Sequence, residues 1–154
     1  ISEMLDAVRA RGAATATITL HVGLGTFQSI RAERIEEHRM HAERYEIGPE
    51  AAAAIAGASR VVAVGTTSTR TLEHAARAGG GRIEPGSGET DLFLYPGSEF
   101  QTVGAMLTNF HLPDSTLILL VAAFAGRELT LAAYRHAVAA EYRFYSYGDC
   151  MLIL

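Results

Sequence analysis

The spacing of apolar and polar positions divides the chain into alternating helical and extended stretches. Ile1, Met4, Leu5 and Val8 recur at the i, i+3, i+4, i+7 spacing of one helix face, and Gly12 stops that helix. Over residues 14–22 the period drops to two. Thr15, Thr17 and Thr19 alternate with Ala16, Ile18 and Leu20, which predicts a strand running into the turn Gly23-Leu24-Gly25-Thr26-Phe27. Residues 31–46 are densely charged, and their tail, 40–47, has no clean period and reads as irregular. Pro49 opens a helix through the alanine run to residue 58, standing at the first-turn position that proline favours.

Residues 60–64 read as a short buried strand, followed by Gly65-Thr66-Thr67-Ser68 and a helix from about Thr69 to Ala78. Two β-like segments follow, 91–95 and 102–108, with Pro96-Gly97 turning between them. Asn109-Phe110-His111-Leu112-Pro113 reads as a loop. Ser115 caps a helix that Gly126 ends, and a further helix spans residues 130–142. The aromatic and apolar tail 143–154 is broken at Gly148-Asp149. Strands alternating with helices predict an α/β fold, a layered and largely parallel sheet with flanking helices.

Composition narrows the chemistry. With 154 residues, 49% of them hydrophobic and 19% charged, the chain can bury a real core. All thirteen basic residues are arginines. Without lysine, a P-loop nucleotide site and Schiff-base chemistry are both excluded. The single cysteine, Cys150, rules out an internal disulfide and a multi-cysteine zinc site, and it points to a reducing, cytoplasmic compartment. The longest apolar run, residues 117–125, is far below the ~20 residues that cross a bilayer, and no export leader is expected. A net charge of −4 argues against general nucleic-acid binding. The chain opens at Ile1, already inside a helical pattern, and so reads as a piece of something longer.

Four constellations can carry chemistry. Gly65, Thr66, Thr67 and Ser68 place small and hydroxylated groups at a helix N-terminus, where free amides and the dipole favour an anion such as a carboxylate; an ordinary capped helix reads equally well. Arg70 beside them can clamp a carboxylate or pair with Glu73 on the helix surface. Gly23 and Gly25 after the first strand are half of a dinucleotide fingerprint, which is weak for a Rossmann site but suits backbone approach to a ligand. His38, His41 and Glu43 have the residue types of a metal set, yet no third-ligand spacing supports one and a solvated charged segment is the plainer reading. Asn109 and His111 follow a strand end, where open α/β sheets bind ligands and where a histidine can serve as acid or base; a loop histidine bonded to backbone competes with that. The aromatics of residues 142–147, with Tyr95, can stack on a purine, although core filling is the commoner use, of Phe144 above all.

Taken in order, six stretches resemble one family. They are residues 19–27 (TLHVGLGTF), 38–43 (HRMHAE), 64–73 (VGTTSTRTLE), 88–97 (GETDLFLYPG), 108–117 (TNFHLPDSTL) and 142–153 (YRFYSYGDCMLI). The resemblance is to the S-adenosylmethionine:tRNA ribosyltransferase-isomerase family of queuosine biosynthesis. It covers the chain from the first strand to the C-terminus. Departures are small: Gln28-Ser29-Ile30 lacks an expected proline, Cys150 stands where alanine is expected, and the connection from Ile55 to Arg60 is short.

The resemblance implies that residues 1–154 are the C-terminal α/β portion of a two-domain enzyme whose N-terminal portion, with a β-barrel domain, is absent here. It implies S-adenosylmethionine as cosubstrate and no metal. The implied partner is a tRNA carrying 7-aminomethyl-7-deazaguanine at the wobble position, with no membrane expected. The reaction it implies transfers and isomerises the ribosyl unit, with adenine and methionine leaving and epoxyqueuosine as product. The sulfonium acidifies the C5′ hydrogens, so a general base is needed; His21, Glu43, Asp91 and His111 are the candidates. Gly23, Gly25, Gly65, Thr66, Thr67, Arg70 and Asn109 are expected to hold the cosubstrate. A conventional methyltransferase and a non-catalytic remnant are the competing readings.

Overall fold

The computed structural model describes residues 2–23, 30 and 34–154. In chain order the elements are α1 (Ser2–Ala10), β1 (Thr19–His21), a 3-10 turn (Ile35–Glu37), β2 (Glu43–Ile47), α2 (Pro49–Ala56), β3 (Val61–Val64), α3 (Thr66–Ala78), β4 (Gly86–Thr90), β5 (Val103–Asn109), α4 (Thr116–Ala125), α5 (Arg127–Ala139) and β6 (Cys150–Ile153).

The strands form two three-stranded sheets, and the expectation of one largely parallel sheet is corrected. The order β1-β2-β4 is antiparallel throughout; in β3-β5-β6 only β3 and β5 run parallel. A single β3–α3–β5 crossover accounts for the parallel pair, because parallel neighbours need a long connection.

The segment read as irregular holds the centre strand of the first sheet. Along β2, Glu43 and Ile47 are buried while Arg44 and Glu46 face out. A period of two is present, but a buried carboxylate at one inward position hides it from a hydrophobicity pattern. The strand expected over residues 91–95 is a loop, and the polar Gly86–Thr90 is the strand instead. Gly88 lies opposite Tyr45 in the ladder, and a Cβ there would sit 2.6 Å from the Tyr45 hydroxyl. Glycine is required where that ring crosses. Leu94, just beyond the strand, is buried in the core.

The expectation that β3 is buried holds only for Ala63. Val62 and Val64 are 52% and 64% exposed, so the other face of this sheet is open. α3 begins three residues before its expected start. α5 does likewise, because Gly126 at φ +87° ends α4 and is also the N-cap of α5. α3 is the keystone of the packing and touches β3, β4 and β5. Its Leu72 and Ala76 pack with Ile47, Ala51 and Val103; Leu120 and Val121 of α4 form a second cluster with Leu94 and Met106, and Phe124 touches both. Among the described residues no single helix is long and apolar enough to cross a membrane.

Candidate functional site

Three of the residues singled out from sequence form one connected group. Arg70, on the buried face of α3, donates through Nη2 to Glu43 Oε2 on β2, 27 residues away. The other carboxylate oxygen, Oε1, accepts the Gly23 N–H at 3.0 Å. Arg70 and Glu43 are 3% and 5% exposed. Burial pulls the Arg70 pKa below its ordinary value, yet a guanidinium starts so high that it stays charged. Arg70 therefore does not pair with Glu73, as one reading had it. Glu73 is itself wholly buried and accepts the backbone N–H groups of Gln101, Thr102 and Val103 at 2.7, 3.0 and 2.8 Å, which sets the start of β5.

Above Arg70 is the start of α3. Gly65 adopts φ +95°, donates its N–H to Leu107 O at 2.8 Å and makes no side-chain cap bond, so the capped-helix reading does not describe this end. The bond to Leu107 joins the loop after β3 to the end of β5. Thr66 and Thr67 are buried and half-buried in the first turn. Thr66 and Arg70 line a narrow crevice with Thr116, the first residue of α4, walled by Met40, Phe93 and Leu117. Two helix N-termini thus face one crevice. Arg70 Nε and Nη1 and Thr116 Oγ1 are buried there with no hydrogen-bond partner among the described residues.

The ladders place His21, Glu43 and Asp91 at one end of the first sheet: His21 is paired with Arg44, Glu43 with Thr90, and Asp91 follows directly. His21 and Asp91 are exposed. Asn109 and His111 lie instead at the C-terminal end of the parallel pair. Asn109 is exposed and pairs with Cys150. His111 Nε2 lies 2.9 Å from Thr108 Oγ1, and its backbone N–H donates to the Tyr134 hydroxyl at 2.8 Å. Burial lowers the His111 pKa to about 4, so the ring is neutral at physiological pH. Gly25 lies outside the described residues.

Phe110 is buried and its ring packs with those of Tyr134, Tyr142 and Phe144; Phe144 itself is half-buried and outside both core clusters, and Tyr147 is 71% exposed. His38 packs edge-on against Phe93, and Glu43 turns inward to Arg70; among the described residues no three His, Cys, Asp or Glu side chains converge on a metal position. Sequence reasoning missed Thr116 and Tyr134. Ser115-Thr116 before an apolar run is a helix-start signal, and it marks Thr116 as a first-turn hydroxyl; nothing local marks Tyr134.

An antiparallel sheet and a mixed sheet joined by one helix, with two helix starts over a buried Arg–Glu pair, define an α/β unit with one candidate site. Comparison with known proteins narrows this. The profile of the family described as "Queuosine biosynthesis protein" matches residues 1–153. The S-adenosylmethionine:tRNA ribosyltransferase-isomerase of Geobacter metallireducens is 58% identical over 98% of this chain and 45% of its own length. That of Solibacter usitatus is 61% identical over 99% of this chain and 42% of its own length. The crystal structure of S-adenosylmethionine tRNA ribosyltransferase from Thermotoga maritima superimposes with a TM-score of 0.80 at 42% identity, over all of this chain and 50% of that one. The chain belongs to the queuosine biosynthesis protein family, and it spans a little under half the length of the curated relatives it matches.

Proposed function

We propose that this chain is the C-terminal α/β portion of an S-adenosylmethionine:tRNA ribosyltransferase-isomerase. It would supply the cosubstrate pocket for transfer and isomerisation of the ribosyl unit onto 7-aminomethyl-7-deazaguanine in tRNA. Epoxyqueuosine-tRNA forms, adenine and methionine leave, and no metal takes part. The observation that carries the reading is the linked group Gly23–Glu43–Arg70 beside the uncapped start of α3, because it unites residues from three separate family motifs. A cytoplasmic location goes with the tRNA substrate.

In this reading Gly23, Gly25, Gly65, Thr66, Thr67, Arg70 and Asn109 hold the cosubstrate. Glu43 is committed to Arg70 and Gly23, so it positions rather than abstracts a proton. His111 is neutral and a weak base at about 4, which suits it to hydrogen-bond a ribose hydroxyl. The base that removes a C5′ proton is then His21 or Asp91 at the end of the first sheet. The remaining portion of the enzyme closes the cleft, so the 154-residue chain alone should release little or no adenine.

The test grafts these residues in place of the matching segment of the Geobacter metallireducens relative. With S-adenosylmethionine and tRNA bearing 7-aminomethyl-7-deazaguanine, adenine and methionine should appear. Release of S-adenosylhomocysteine would mark a methyltransferase; absence of adenine would overturn the proposal, and full turnover by the isolated chain would overturn the division of labour.

A further inference from the structure

We propose that Tyr145 and Tyr147 form a stacking platform for an unpaired nucleobase of RNA, beside the turn that carries Asn109 and His111. The choice of RNA rests on the function proposed above; the platform itself rests on the loop. Residues 142–149 carry four aromatic rings, and none of them belongs to either core cluster. Tyr145 is 42% and Tyr147 71% exposed. Single-stranded RNA is recognised by laying its splayed bases on such rings.

The backbone holds these rings out. Tyr145 adopts φ +60° and Glu141 φ +56°, left-handed conformations that residues with a Cβ rarely take. Such positions persist only where their surroundings fix them, and they gather at ligand sites. Here the Tyr145 N–H donates to Phe110 O at 3.0 Å and the Tyr147 N–H to Phe144 O at 3.3 Å. Asp149 closes the loop onto Arg143, accepting its backbone N–H at 2.7 Å and its guanidinium at 3.3 and 3.4 Å. Gly148, at φ +127°, lets that guanidinium pass, since a Cβ there would lie 3.2 Å from it. The rings of Tyr145 and Tyr147 form a corner, with centroids 6.5 Å apart and planes inclined at 67°. A flat heterocycle laid on one ring abuts the other, and a loop already ordered loses little freedom on binding.

Charge and position select the ligand. Arg143, the only cation of residues 142–149, is committed to Asp149, so the loop suits a neutral π-face rather than a phosphate. Stacking needs no net positive charge, which makes it the RNA contact open to a chain of net charge −4. The loop hangs from the Phe110 carbonyl, and Cys150, directly after it, pairs with Asn109. The platform thus borders the C-terminal end of the parallel strand pair, where α/β sheets present ligands.

NMR of the 154-residue chain tests this, following the ring protons of Tyr145 and Tyr147, assigned by their loss in Tyr145→Leu and Tyr147→Leu. A short single-stranded RNA should move both sets upfield with an affinity nearly independent of salt, and the same strand made abasic should not. Tyr147→Ala should weaken RNA binding about tenfold, while Tyr147→Phe keeps the ring and the affinity. An exposed ring can be removed without unfolding the chain. In the chimera with the Geobacter metallireducens relative, Tyr147→Ala should raise KM for tRNA and leave KM for S-adenosylmethionine in place. A chimera that releases no adenine, while the isolated chain still stacks RNA, would sink the functional reading and keep the platform. Equal ring shifts with S-adenosylmethionine would give the corner to the cosubstrate's adenine and overturn the inference. So would rings unmoved by RNA, an unchanged KM for tRNA in an active Tyr147→Ala chimera, or protection of Tyr147 from iodination in the RNA-free chimera, which marks a protein contact.

Discussion

Arg70 and Glu43 join the two halves of the fold: a guanidinium on the crossover helix of the mixed sheet is bonded to a carboxylate on the centre strand of the antiparallel one. Both are almost fully buried, so each is the other's main compensation for lost water. Removing one partner leaves an uncompensated charge, a far larger penalty than removing both.

Arg70→Met and Glu43→Leu should each lower unfolding free energy by about 3–5 kcal/mol, and the double variant should lose well under the sum. Urea denaturation of the four proteins measures this directly. Additive losses would mean that the pair is not coupled.

Glu73 serves the backbone. Its carboxylate accepts three N–H groups at the start of β5, from Gln101, Thr102 and Val103. Glu73→Leu should cost about 3 kcal/mol or more, since each N–H left buried and unpaired costs about 1–3 kcal/mol. Glu73→Gln keeps one acceptor oxygen and should fall between. Hydrogen exchange at Val103 should speed up in both.

His111 makes stability depend on pH. Its folded pKa of about 4 lies below the unfolded 6.5, so the unfolded chain binds the extra proton first. Stability from this group is therefore complete above about 6.5 and falls progressively toward pH 4, by about 3 kcal/mol in all. His111→Asn should flatten that part of the stability–pH curve. A His111 ring that protonates near pH 6.5 by NMR would contradict the burial argument.

Ser115 caps α4 with its hydroxyl, which accepts from Ile118 N–H at 3.3 Å and donates to Leu112 O at 2.7 Å. Ser115→Ala should cost about 1–2 kcal/mol in thermal or urea unfolding, because a side-chain cap and a loop tether go together. Ser115→Asp should recover most of the cap.

RNA binding by this chain alone should be weak. Arg34 pairs with Glu36 at 3.8 Å and Arg44 with Glu89 of β4 at 3.0 Å, so two of the arginines of the charged segment already face carboxylates. Phosphate-driven affinity scales with the cations left to neutralise phosphates. Fluorescence anisotropy with unmodified tRNA should give weak binding with a shallow salt slope; a steep slope and tight binding would place a basic face here.

Much was legible in the chain because the signals were local. Gly12 ending the first helix, Pro49 opening α2 and Ser115 with Gly126 bracketing α4 each depend on a residue's own backbone preference or its reach to a neighbouring amide. The family motifs were legible for the same reason, as short ordered strings. What only the tertiary structure decided were relations across the chain. β2 is not legible as a strand because Glu43, a charged residue, takes an inward position where Arg70, 27 residues away, and the Gly23 N–H meet its carboxylate. Gly86–Thr90 is a strand because β2 supplies its ladder and Gly88 clears the Tyr45 ring, facts absent from its own composition. The meeting of Thr116 with Thr66 and Arg70 likewise needs α4 laid beside α3. A buried charge is stable only with its partner in place, and that partner is chosen by packing rather than by neighbouring sequence.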